Sequence, residues 1–240
     1  LVTGASTGLG RLTALSLAQD GHEVILHARN PSRVEDAALL GRVYGVVYGD
    51  LGDLDQTRRV ANEVNGFGRL EAVIHNAGVI DGSELAAVNF VAPFVLTALM
   101  EPPARAIVLS SSMHRSGTPR HPADWIAGLR DRTYSDSKLY VTALAMAIAH
   151  RWPTVLTHAV DPGWVPTRMG GPSATDDLTE GHRTQEWLAT TGDAQIQPRT
   201  GGYWQPRRVQ KPHPAALDRS FQDEVIRCLE DRTLEALPRM

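Results

Sequence analysis

The feature that most constrains this chain is an alternation. Short β-branched apolar runs take turns with segments whose apolar residues recur at helical spacing. Leu1-Val2, His22 to Ala28, Val43 to Tyr48, Leu70 to His75, Ala106 to Ser110 and Val155 to Val160 read as strands. Leu12, Leu15 and Ala18, then Asp55 to Val64, Ser83 to Met100 and Tyr134 to Arg151, read as helices between them. Strands joined through helices become parallel neighbours by right-handed crossovers, so the pattern predicts an α/β, doubly wound parallel sheet flanked by helices. Pro93 should kink the helix over 83–100. Leu1-Val2 reads as the end of a truncated strand, and whether a leader or anchor precedes it is left open.

The 240 residues suffice for one domain with a full core, and 1–240 is read as such. From Pro162 to Pro214 the composition shifts to Gly, Pro, Thr and Trp, with periodicity only over Leu178 to Ala189. The 162–214 region is therefore expected to be a substrate lid after strand six. Gly202-Tyr203-Trp204 is a candidate last strand and Ala215 to Leu237 a terminal helix. A formal net charge of −3 gives no electrostatic case for a nucleic-acid partner. No apolar run approaches the length that spans a bilayer. The lone Cys228 excludes an intrachain disulfide and fits a reducing, cytoplasmic setting.

The chemistry is concentrated in Tyr134-Ser-Asp-Ser-Lys138. Residues four apart share a helix face, so Lys138 should lie beside Tyr134. A phenol with a pKa of about 10 exchanges protons poorly at neutral pH unless a cation favours the phenolate. Lys138 and Lys211 are the only lysines in a chain whose Lys and Arg total 24, which suggests a specific need for a compact ammonium. An ordinary exposed helix pair is the alternative.

The nucleotide signal lies at the start. A strand, the turn Thr3-Gly4-Ala5-Ser6-Thr7-Gly8-Leu9-Gly10 and a helix would aim backbone N–H groups at a diphosphate. Gly4, Gly8 and Gly10 are spaced more widely than in the commonest dinucleotide fingerprint. At the end of the second strand, where an acid would accept a ribose 2′-hydroxyl, stands His27-Ala28-Arg29-Asn30. Arg29 can neutralise a 2′-phosphate, so NADP(H) is expected over NAD(H).

Together these residues resemble the short-chain dehydrogenase/reductase family, whose fold is Rossmann-like. The resemblance runs over the whole chain: the glycine turn, His75-Asn76-Ala77-Gly78, Tyr134 with Lys138, and Asp161-Pro162-Gly163-Trp164-Val165-Pro166-Thr167. It implies a catalytic set of Ser111, Tyr134, Lys138 and Asn89, with Ser112 the other candidate serine. It also implies cofactor contacts from Gly4, Ser6, Thr7, Gly8, Leu9, Gly10, Arg29, Asp50, Leu51, Asn76, Ala77, Gly78, Tyr134, Lys138, Pro162, Gly163, Val165 and Thr167, and no metal. Asn89 would support a proton-relay water, Asp50 would lie near the adenine amino group and Thr167 would hold the carboxamide. Two departures stand out. His75 replaces the more usual asparagine, and the interval from Ser111 to Tyr134 is long. That interval, Met113-His114-Arg115 and Gly163-Trp164-Val165 are similar to the retinol-dehydrogenase-like branch.

The resemblance implies an oxidoreductase moving hydride between a nicotinamide and a carbonyl or alcohol, with Tyr134 exchanging the proton. Met113, His114, Trp164, Met169, Trp187, Tyr203 and Trp204 are candidate pocket residues and favour an apolar or aromatic small-molecule substrate; a surface position is the other reading of His114. The rival is a non-catalytic NADP-binding redox-sensing interaction protein. A dehydratase or epimerase usually carries a longer substrate domain. Apolar residues on more than one face of the helices around 89–100 and 138–151 allow a homodimer or homotetramer contact, or simple burial.

Overall fold

The computed structural model describes all residues except Glu35, Arg130 and Met240. Helix α1 (Gly8–Gln19) follows the glycine turn, then come strand β1 (Ile25–Ala28), the short α2 (Ala37–Leu40), β2 (Gly45–Tyr48), α3 (Leu54–Asn65) and β3 (Ala72–His75). A π turn (Ala87–Val91) runs into α4 (Ala92–Leu99). Then follow β4 (Arg105–Leu109), α5 (Pro122–Ile126), α6 (Tyr134–Arg151), β5 (Leu156–Val160), α7 (Leu178–Thr190), β6 (Gly202–Gln205), β7 (Arg208–Gln210), α8 (Pro214–Leu217) and α9 (Arg219–Thr233).

Val2 bridges in parallel to Leu26 of β1 on one side and Ile74 of β3 on the other. The sheet therefore runs β2, β1, Val2, β3, β4, β5, β6, β7, parallel throughout except for the final β6–β7 hairpin. Strand order reverses direction on either side of Val2, and in such sheets ligands bind in the crevice beyond the strand ends at that reversal. The glycine turn begins there. On one face Leu17 of α1 and Leu188 of α7 pack with Val2, Leu26, Ile74 and Ile107. On the other face, Val60 and Val64 of α3 and Leu96 of α4 pack with Ile25, Val47 and Val73.

Three elements depart from the sequence reading. Pro93 does not kink a regular helix: it lies in the first turn of α4, where a missing N–H is tolerated. The irregularity falls one turn earlier, where Ala92 N–H bonds the Ala87 carbonyl. Pro93 also has no N–H to give the Asn89 carbonyl four residues back. In the 162–214 region, α7 packs on α1 and β6 and β7 complete the sheet, so the irregular stretches are mainly 162–177 and 191–201. The terminal helix is broken at Asp218, whose carboxylate caps Phe221 N–H and starts α9 anew.

Helix α6 is buried from Asp136 to Ala149, as expected of a helix apolar on several faces. Its outer side is covered by the chain itself. Phe221, Val225 and Leu229 of α9 join Trp125 of α5 and Tyr140, Leu144 and Ile148 of α6 in one cluster. Of the two readings left open for this helix, a subunit contact or burial, the structure has burial on α6.

Candidate active site and nucleotide cradle

Thr7, the residue before α1, makes no side-chain cap, so the first-turn N–H groups of that helix are left for another acceptor. They face a cavity of about 500 Å³ whose lining runs from the glycine turn to Tyr134 and Lys138. Of the expected cofactor residues, Gly4, Ser6, Thr7, Gly8, Leu9, Gly10, Arg29, Asp50, Leu51, Asn76, Ala77, Gly78, Tyr134, Lys138, Pro162 and Thr167 line it. Gly163 and Val165 are not among the lining: Gly163 N–H bonds Asp161 Oδ1 and Val165 is buried in the loop.

The turn is held from beneath. Gly4 has φ +62°, and a Cβ there would sit 2.8 Å from Ala77 Cα. Asn76 Nδ2 donates to the Thr3 and Gly4 carbonyls at 2.8 and 3.3 Å, while Thr3 Oγ1 accepts from Asn76 and Ala77 N–H. His27 also lines the cavity. Its Nδ1 accepts Gly4 N–H at 3.0 Å, so Nε2 carries the proton and donates to the Gly49 carbonyl at 3.0 Å. Burial holds its pKa below the ordinary histidine value. The sequence reading passed over His27 because it treated the whole tetrapeptide as a place for an absent acid.

At the adenosine end, the tetrapeptide His27 to Asn30 carries no carboxylate of its own, but two acids reach Arg29 from elsewhere in the chain. Arg29 donates to Glu84 Oε2 at 2.9 Å and lies 3.5 Å from Asp50 Oδ2. Both acids come from other strands' loops, so the local sequence around Arg29 could not reveal them. Arg33 adds a second guanidinium to the lining. Its signal was available in Asn30-Pro31-Ser32-Arg33, a short turn just past the strand.

At the other end, Tyr134 opens α6 behind the Thr133 cap, whose Oγ1 accepts Asp136 N–H. The Ser111 side chain lies near enough to the Tyr134 phenol to act on its titration, and Ser111 Oγ accepts Met113 N–H at 3.2 Å. Ser112 is exposed and starts the 3-10 turn. Lys138 Nζ lies 5.5 Å from the Tyr134 ring centroid and donates to the Leu109 carbonyl at 2.8 Å. The expected lowering of the phenol pKa is absent in this geometry. Burial, with the Asp161 carboxylate adding to it, pushes Tyr134 up to about 12, and burial brings Lys138 down to about 8. The ammonium is aimed at a main-chain carbonyl, and desolvation acts on both groups.

Asn89 is buried, and its side chain is fully engaged: Oδ1 accepts Val79 N–H at 2.8 Å, and Nδ2 donates to the Val79 carbonyl and Ser137 Oγ. It staples the loop after β3 to α6. His114, read as a surface or substrate group, is neither. It is fully buried, donating from Nδ1 to the Ser111 carbonyl and accepting His213 N–H at Nε2. Among the candidate pocket residues, Met169 lines the cavity. Tyr203 and Trp204 are core, Trp187 packs on Trp204, and Met113 and Trp164 are exposed.

Residues 1–178 match the family model described as short chain dehydrogenase. Short-chain dehydrogenase chry4 of Gibberella zeae is 34% identical over 255 residues, covering 99% of this chain and 98% of its own. Retinol dehydrogenase 13 of Mus musculus is 33% identical over 198 residues, covering 71% of this chain and 59% of its own. A crystal structure of a protein from Mycobacterium paratuberculosis has the same fold, with a TM-score of 0.82 at 24% identity over 98% of this chain and 93% of that one.

Proposed function

Because the chain belongs to the short-chain dehydrogenase/reductase family, in its retinol-dehydrogenase-like branch, we propose that it is an NADP(H)-dependent oxidoreductase acting on the carbonyl or alcohol of an apolar or aromatic small molecule. The observation that carries this reading is one cavity joining the uncapped first turn of α1 to Tyr134 and Lys138. The residues suit a dinucleotide. Helix N–H groups and the positive end of α1 favour a diphosphate. A Cβ at Gly78 would lie 3.7 Å from Lys138 Nζ and 3.9 Å from Met169 Cε, so the glycine keeps open the space beside the ammonium.

When bound, the nicotinamide supplies or accepts the hydride. The chain's own residues do the rest. In reduction Tyr134 gives its phenolic proton to the carbonyl oxygen; in oxidation the phenolate takes it back. Ser111, beside the phenol, positions the same substrate oxygen. Lys138 places a cation beside the ring and within reach of ribose hydroxyls. Asn89 fixes Val79 and Ser137 around them, and its carbonyl, which Pro93 cannot serve, is the group it has left for a water.

Arg29 and Arg33 support the preference for NADP(H), and Ile80 and Met169 at the cavity support an apolar substrate. The buried lone thiol Cys228 fits a cytoplasmic setting. Among the described residues no helix is long and apolar enough to cross a membrane. The test is a panel of aromatic and aliphatic ketones and aldehydes monitored by NADPH absorbance, with Tyr134→Phe as control. NADPH oxidation that the variant abolishes supports the reading. Cofactor binding with no turnover, and no effect of the variant, would instead favour a non-catalytic NADP-binding module.

A further inference from the structure

A buried carboxylate stands behind the proton-transfer pair, and no role in the proposed reaction has yet been given to it. Asp161 ends β5 and is 1% exposed. Its Oδ2 accepts the Tyr203 hydroxyl at 3.1 Å and its Oδ1 accepts Gly163 N–H at 3.0 Å. Two donors and no acceptor is the pattern of an ionised carboxylate. The residue before it, Val160, pairs in the sheet with Leu109, and it is the Leu109 carbonyl that holds Lys138 Nζ. An ammonium buried with one neutral partner needs a counter-charge. Among the described residues no direct ion pair joins Asp161 to Lys138; from one residue past the Leu109–Val160 pairing its charge raises the pKa of both Lys138 and Tyr134.

We propose that Asp161 is a positioning residue for proton transfer: the counter-ion that keeps Lys138 an ammonium and Tyr134 a phenol, which suits the pair to donating a proton to a carbonyl. Tyr203 locks the carboxylate in place. The Tyr203 ring is itself clamped between His114, at 4.6 Å between centroids, and the Arg115 guanidinium, at 5.3 Å. His114 in turn holds the Ser111 carbonyl at 2.7 Å. The segment carrying Ser111 and the segment after β5 thus share one buried support.

The charged and titratable groups around Asp161 are Lys138 and Tyr134 on α6, Tyr203 on β6, and His114 and Arg115 on the 3-10 turn; Asp176, which takes Trp164 N–H, approaches Gly163 from the following loop. Removing the Asp161 charge makes the phenolate easier to form, so the Tyr134 titration moves to lower pH. In carbonyl reduction the phenol is the active form, so the alkaline limb of the rate profile moves down with it.

The inference rests on the function proposed above, and its test is separable from it. Tyr134 is titrated in the cofactor-free protein by NMR of ¹³C-labelled tyrosine, assigned with Tyr134→Phe. Asp161→Asn should lower the Tyr134 titration by about one pH unit and shift the alkaline limb of kcat/KM in the same direction. Tyr203→Phe, which removes the hydrogen bond and keeps the carboxylate, should not lower it. Asp161→Ser, which retains an oxygen acceptor, replaces Asp161→Asn if that variant does not fold. An unshifted titration overturns the proposal, as does an equal shift in Tyr203→Phe or failure of both Asp161 variants to fold. Loss of all carbonyl turnover in the wild type counts against the reductase reading alone, since the NMR titration still decides the role of Asp161.

Discussion

The Arg29 guanidinium is held between Glu84 at 2.9 Å and Asp50 at 3.5 Å, so the cation offered to a 2′-phosphate is already partly neutralised. A phosphate arriving there competes with Glu84, whose side chain is 44% exposed and gives up little by letting go. Glu84→Gln should therefore lower the KM for NADPH by about 2- to 5-fold, the equivalent of an exposed ion pair of up to about 1 kcal/mol. Arg29→Ala should raise it, and NADH kinetics should barely change in either variant. Equal changes with both cofactors would remove Arg29 from cofactor choice.

Tyr134→Phe keeps the ring packed at the head of α6 and deletes only the hydroxyl. Turnover in either direction should fall by about 10²- to 10⁴-fold, the usual contribution of a positioned acid–base group. Cofactor affinity, followed by quenching of tryptophan fluorescence, should stay within a factor of a few. A parallel loss of affinity would point to a binding role for the phenol.

Two glycines with positive φ separate backbone strain from crowding. Gly21 has φ +86° with nothing within 4 Å of a Cβ, whereas a Cβ at Gly4 would meet Ala77 Cα at 2.8 Å. Gly21→Ala should cost about 1–2 kcal/mol, the left-handed penalty alone, and lower Tm by several degrees. Gly4→Ala should cost distinctly more and weaken dinucleotide binding as well. Thermal melts of the two variants with and without NADP⁺ make the comparison.

Acid should destabilise the fold through its buried neutral histidines. His158 accepts Gly202 N–H and Trp204 Nε1–H at Nδ1, and His75 is packed against Thr97; burial pushes each down to about 4. The unfolded chain takes up these protons near pH 6.5 while the folded one does not. Stability is therefore fully present above about pH 6.5 and declines as pH falls toward 4, by up to about 1.4 kcal/mol per pH unit for each group. Urea midpoints measured at pH 7.5 and 5 should show the drop, and His75→Phe, if it folds, should flatten the slope.

The sheet was legible because each strand is a short apolar run closed by turn residues, and α6 because Thr133 opens it and Trp152-Pro153 stops it. Strand β6 was readable in Gly202-Tyr203-Trp204, but its hairpin partner β7 was hidden: Gln205-Pro206-Arg207-Arg208 reads as loop, and Arg207 adopts φ +53° without being glycine. Asp218 broke the terminal helix through a side-chain cap that continuous apolar spacing masks. In the candidate site, most of the expected cofactor residues line the cavity, whereas the partners of Arg29 and Asp161 had no local signal. Glu84 meets Arg29 across 55 positions, and Tyr203 meets Asp161 across 42. Only the folded sheet brings such residues together.

Helix α6 is fastened along its length by α9 and the segment that follows it. Tyr140 packs on Phe221 with ring centroids 5.9 Å apart, and Trp152, which closes the helix, donates from its indole to the Pro238 carbonyl at 2.8 Å. The segment from α9 to Pro238 is thus a splint on the rod that presents the phenol and the ammonium. Removing residues 219–238 would loosen that rod.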